Sequence, residues 1–109
     1  MIAITIDREN LRISAKGHAG YAEKGKDIVC AGVSALVQAW AECVRVFEES
    51  GWTEHSEIAM KDGDAEVSVA PLPAHRGAVI ISFQTIVTGL LKLAGECPEY
   101  ISVKMDEEG

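Results

Sequence analysis

The apolar positions of this chain change their period several times, and each change marks an element. Ile2, Ile4 and Ile6 alternate with Ala3, Thr5 and Asp7, the period-2 pattern of a half-buried strand. Arg8-Glu9-Asn10 is a polar turn. Leu11, Ile13 and Ala15 then alternate with Arg12, Ser14 and Lys16, giving a second strand and an opening hairpin that Gly17 ends. Residues 19–26 contain Gly20 and Gly25 and no apolar period, so they read as a loop. From there the spacing turns helical. At ~100° per residue, Val29, Val33, Leu36, Trp40, Val44 and Phe47 form one apolar stripe, with Ser34, Gln38, Glu42, Arg45 and Glu49 on the opposite side. This predicts a helix from Ile28 to about Ser50, capped by Asp27 and closed by Gly51, with Trp40 and Phe47 in the core. Glu42 and Arg45 are spaced to pair on its exposed side.

The second half repeats the scheme. Ser56, Ile58 and Met60 alternate with Glu57, Ala59 and Lys61, Asp62-Gly63 is a hairpin signal, and Val67 and Val69 continue on the return strand until Pro71-Leu72-Pro73 stops it. From about Gly77 to Ala94 the residues Val79, Phe83, Ile86, Leu90 and Leu93 have helical spacing, although Val79 to Phe83 alone would also fit a buried strand. Gly95 suits the position past that helix, Pro98 blocks continuation, and Ile101, Val103 and Met105 form a last strand. The order strand, strand, helix, strand, strand, helix, strand predicts an α+β two-layer sandwich, a mainly antiparallel five-stranded sheet with two helices, in one domain spanning residues 1–109. With helices covering mainly one face, a two-fold dimer would protect the other face or an edge strand.

Charge narrows the partners. Ten Lys and Arg against 17 Asp and Glu give a net charge of −7, which argues against direct nucleic-acid binding and suits a basic protein partner. No apolar run approaches the ~20 residues of a membrane span, and Met1-Ile2-Ala3 lacks the basic start of a signal peptide, so a cytoplasmic protein with no membrane partner is expected. Three cysteines without CxxC spacing make neither a disulfide framework nor a zinc site, and no metal or other cofactor is expected. His55 and His75 have no metal-type spacing and read as surface residues, while Cys43 and Cys97 read as structural or incidental.

The chemistry concentrates around the loop. His18 leaves the second strand, and Cys30 falls in the first turn of the long helix, 12 residues later. A sulfur there sits at the positive end of the helix macrodipole, which favours thiolate, and a folded-back loop would bring an imidazole to share its proton. A cysteine near a helix start is commonly a packed apolar residue. Cys30 is instead one turn before Ser34, on the edge of the polar stripe, where a buried role is less economical. The candidate site is therefore His18 and Cys30 as catalytic pair. Asp27 would cap the helix and hold Cys30, or orient His18; Ser34 either hydrogen-bonds near the pair or simply occupies its stripe, and Gly20, Tyr21 and Gly25 are candidates for substrate contact or oxyanion donors in the loop.

The run GHAGYAEKGKDIVCAGVSAL resembles the signature of the ribosomal-processing cysteine proteases, small bacterial proteins first catalogued as a domain of unknown function. The resemblance covers the chain in length and element order and is carried by the His-Ala, Gly-x-Asp-Ile-Val-Cys-Ala and Val-Ser-Ala pieces. It implies that His18 and Cys30 form a catalytic dyad. It further implies a homodimer that cuts a short N-terminal extension, after aromatic residues, from the precursor of a large-subunit ribosomal protein (the twenty-seventh by name). Gly32 stands where alanine is the commoner residue, and the second half matches more loosely. Two other classes fit the same residues: a non-catalytic ribosome-assembly adaptor binding that precursor, and a thiol hydrolase acting on small esters.

Overall fold

Two hairpins and one returning strand build a single sheet in this computed structural model, which describes residues 1–18, 20 and 27–105. The elements run β1 (Ile2–Asp7), β2 (Arg12–Lys16), α1 (Ile28–Glu49), β3 (Thr53–Lys61), β4 (Asp64–Pro71), a 3-10 turn (Pro73–His75), α2 (Arg76–Glu96) and β5 (Ile101–Met105). Their spatial order is β3-β4-β2-β1-β5, with β1 and β5 parallel and every other pair antiparallel. The expected α+β sandwich is thus the observed one.

Local chemistry sets the first turn. Asp7 accepts from the backbone of Glu9 and Asn10 at 3.1 and 3.2 Å and from the Asn10 side chain at 2.8 Å, which supports Leu11 at φ 47°. The Asn10 side chain above all holds the Asp7 carboxyl below its ordinary range. A depressed folded-state pKa stabilises the fold above the ordinary carboxylate range, and that contribution is lost as pH falls through the depressed value. Asp7→Ala is accordingly expected to cost less than about 1 kcal/mol at neutral pH, because the turn is exposed. The gap from wild type should close in strong acid, as read by urea unfolding at both pH values.

The core lies between the sheet and the two helices. Ile2, Ile4, Ile6, Ile13, Val67 and Val69 meet Val29, Val33, Trp40 and Val44 of α1 and Val79, Phe83 and Leu90 of α2. Val37 and Ala41 are also buried on α1, whereas Leu36, assigned to the buried stripe from its spacing, is only half-buried. The cause is that α1 packs on two surfaces at once. Leu36 faces α2, where its Cδ2 lies 3.1 Å from the place a Cβ on Gly89 would take. Gly32 has a similar neighbour, with Leu93 Cδ2 at 3.0 Å from its missing Cβ, so its lack of a side chain serves the close approach of the helices.

The segment from Val79 to Phe83 is helical, as the spacing from Gly77 to Ala94 predicts. Three expectations need correction. The helix α2 continues through Gly95 to Glu96, ending at Cys97, whose N–H reaches the Leu93 carbonyl at 2.9 Å. Gly95 is therefore inside the helix and not past its end. His75 is half-buried, stacked on Trp52 with ring centroids 4.5 Å apart, while His55 is exposed as expected. Finally, α1 and Pro73–Glu96 contain 18-residue windows of mean hydropathy 1.3 and 1.6, long and apolar enough to cross a membrane by length and composition, a test that the core helices of soluble proteins also pass. The sheet face away from the helices shows Ala3, Thr5 and Lys104 to solvent, with ion pairs Arg12–Glu66 and Lys16–Asp64. It is polar, so burial of an apolar sheet face is not a reason for a dimer.

Candidate active site

The first turn of α1 is set by Asp27. Its backbone is extended (φ −85°, ψ 106°), and its carboxylate accepts from the N–H of Val29 and of Cys30, each at 3.0 Å. Both are donors that no helical carbonyl reaches, so a buried carboxylate here holds the backbone that carries the sulfur. Cys30 itself is half-buried, between the covered and the open side of the helix, as its place on the polar stripe predicts. Cys43 and Cys97 are free thiols as well.

His18 is held from the other side of the chain. Gly17 leaves β2 at φ 98° and donates to the Gly63 carbonyl at 2.8 Å, tying the end of β2 to the β3–β4 turn. A Cβ on Gly17 would lie 2.6 Å from the Met1 carbonyl oxygen, so only glycine fits on grounds of both torsion and space. The Met1 nitrogen donates to the His18 carbonyl at 2.7 Å. The imidazole then rests on Gly63, itself at φ 75°, with Nε2 2.9 Å from where a Cβ would be. Gly63→Ala is expected to fold, at a cost of about 1–2 kcal/mol for the left-handed torsion, while pushing the imidazole off its seat. Any catalysis that uses the imidazole should fall at least about tenfold through kcat, since small misplacements of a reacting group are costly; steady-state kinetics beside a thermal melt checks both halves.

Between these two anchors lies a cavity of about 480 Å³ to which His18, Cys30 and Ser34 all contribute. It is a groove more than a hole. Cys30, Ser34, Gln38, Glu42 and Arg45 line one wall along α1, residues 60–64 of the β3–β4 hairpin form the other, and Val33 and Val37 lie between. From Cys30 to Arg45 is 15 residues, about 22 Å of helix at 1.5 Å each, which an extended segment of about seven residues would span at ~3.3 Å per residue. Glu42 and Arg45 form the ion pair expected from their spacing. A thiol at one end of an open groove with apolar and polar stretches is an arrangement suited to binding an extended ligand beside a reactive sulfur.

The sequence-derived candidates divide accordingly. His18, Cys30 and Ser34 share the cavity, and Asp27 acts from beneath as the cap. Gly20 is exposed at φ 76°, with no atom of the described residues near its absent Cβ, and Tyr21 and Gly25 lie outside the described residues. Two participants were missed. Gly63 was read only as a turn residue, and nothing local says that an imidazole 45 positions away would lie on it (63 − 18). Gln38 was placed on the polar stripe without a partner, but its side chain donates to Ser34 Oγ at 2.8 Å. The i,i+4 spacing was the signal available for it.

Residues 1–102 match the protein family described as cysteine protease Prp. The chain is 33% identical over 108 residues to the ribosomal processing cysteine protease Prp of Mycoplasma genitalium, covering 94% of each. Two crystal structures of an essential ribosomal processing protease Prp from S. aureus share the fold. The one with a covalently linked product peptide has a TM-score of 0.76 at 24% identity, and the one with a substrate peptide 0.71 at 22%. Both alignments cover 97% of this chain and all of the other.

Proposed function

The chain belongs to the cysteine protease Prp family, and on that premise we propose that it is an endopeptidase removing a short N-terminal extension from the precursor of a large-subunit ribosomal protein, with Cys30 as nucleophile and His18 as its acid–base partner. The observation that carries the reading is the single groove into which both side chains open. Cys30 Sγ attacks the scissile carbonyl carbon as its proton passes to His18. The tetrahedral oxyanion then collapses, and the leaving amine takes that proton from the imidazolium, leaving a thioester. Water, deprotonated by His18, attacks the thioester, and the carboxylate product departs as the thiol re-forms. The oxyanion forms beside the positive end of α1, whose field favours negative charge there, while the Val29 and Cys30 N–H groups stay with Asp27.

The S. aureus relatives hold a product peptide and a substrate peptide, which supports a peptide as what this groove takes, and the net charge of −7 suits a basic ribosomal protein as the substrate. The same reading carries a cytoplasmic location and a homodimer. The test is mass spectrometry of a peptide spanning the precursor's N-terminal extension after incubation with the protein. One cut next to an aromatic residue is expected, and none after prior treatment with iodoacetamide. An intact peptide under both conditions would overturn the reading.

A further inference from the structure

Hydroxyls on the two helices behave differently. On α2, Ser82, Thr85 and Thr88 donate to the carbonyls of Ala78, Ile81 and Gln84, four residues back, at 3.2, 2.9 and 2.8 Å. Each hydroxyl hydrogen is thereby spent on the helix itself. Ser34 on α1 differs: among the described residues, its one hydrogen bond is accepted by Oγ from the Gln38 amide at 2.8 Å. A hydroxyl oxygen that accepts keeps its own hydrogen to give. That hydrogen is not given to Gln38, and helical side chains lean towards the preceding turn. The residue there is Cys30, and Cys30, Ser34 and Gln38 line one wall of the groove.

We propose that Gln38 is a positioning residue: by occupying a lone pair of Ser34, it holds the serine hydroxyl as a donor towards the negative charge that develops beside Cys30. The inference rests on the reading of Cys30 as nucleophile. The charge is either on the sulfur or on the oxyanion of the tetrahedral intermediate, and in both cases the donor is aimed before the reaction begins. Ser34 is the group that meets this charge, and Gln38 acts through it.

The polarity of one hydrogen bond provides the test. Gln38→Glu keeps the shape but loses the donor, and a carboxylate would accept from Ser34 and draw its hydrogen out of the groove. Gln38→Lys keeps a donor. Cleavage of the precursor peptide is measured for both variants, for Ser34→Ala, and for Ser34→Ala combined with Gln38→Glu. Gln38→Glu and Ser34→Ala are each expected to lower kcat about tenfold, with KM within about twofold. The double variant should be no slower than Ser34→Ala, and Gln38→Lys should retain most of kcat. The pH profile of Cys30 alkylation locates the charge: it moves with the uncharged change Ser34→Ala if the donor serves the sulfur and stays if the donor serves the oxyanion. A loss from Gln38→Glu that persists without Ser34 would overturn the inference and leave the cleavage reading intact. So would an unaltered kcat in Gln38→Glu, the result expected if Ser34 already donates to the glutamine oxygen. A wild-type protein that cleaves nothing would overturn both.

Discussion

Cys30→Ala is expected to abolish peptide cleavage and leave the fold in place. Removing a covalent nucleophile costs on the order of 10⁴-fold or more in kcat, because positioned donors cannot replace the bond that forms. Neither Cys43 nor Cys97 contributes to the groove, so no second thiol stands in for it. The structural cost should stay below about 1 kcal/mol, since the side chain is small and half-buried. The bonds that start the helix go from backbone N–H groups to Asp27 and survive the change. His18→Ala should fall nearly as far, and the double variant little further, because the two act on one proton. The measurements are turnover of the precursor peptide, circular dichroism and peptide affinity. Retained affinity without turnover is the protease outcome; cleavage above about 1% of wild type would exclude Cys30 as nucleophile. A variant that supports ribosome assembly unchanged would favour an adaptor.

Trp40→Ala is the substitution expected to damage stability most, by about 3–5 kcal/mol. Trp40 is fully buried between the sheet and α2. Its ring meets Phe83 edge-on at 5.3 Å and Phe47 at 6.4 Å, and its indole N–H donates to the Val67 carbonyl at 3.2 Å. Truncation leaves a cavity at the junction of three elements and removes the indole donor from a buried β4 carbonyl. Against a total of about 5–15 kcal/mol, such a loss brings the protein close to unfolding at ambient temperature. Trp40→Phe separates the two causes. It keeps most of the volume and loses the hydrogen bond, so a smaller cost of about 1–2 kcal/mol is expected. Urea unfolding of both variants decides; equal losses would assign the effect to the hydrogen bond and not to packing.

Much of the site could be read from neighbouring residues, because capping, turns and helical faces depend on contacts within a few positions. Asp27 announces its cap three residues before Cys30, and the polar stripe correctly puts the sulfur at the edge of the buried face. The same local logic misplaced the end of α2. Glycine is a frequent stop signal, but the turn containing Gly95 is closed by the bond from Cys97 N–H to the Leu93 carbonyl, with Ala94 and Cys97 packed against the core, and packing overrides the weak preference. It also put Leu36 on the wrong side of a boundary, since a period describes one packing surface and α1 has two.

From its sequence alone this chain determines its elements, their order, the cap that starts α1 and the residue types that carry the chemistry, since each follows from period, turn preference or a bond across one helical turn. Tertiary structure alone decides that β5 pairs parallel with β1, that Gly63 serves as the seat of His18, and that imidazole and thiol open into one groove with Gln38 and Ser34 beside them. Those relations join residues far apart in the chain. Only the shared burial of the sheet and both helices makes them favourable, and no local pattern encodes which distant surfaces will meet.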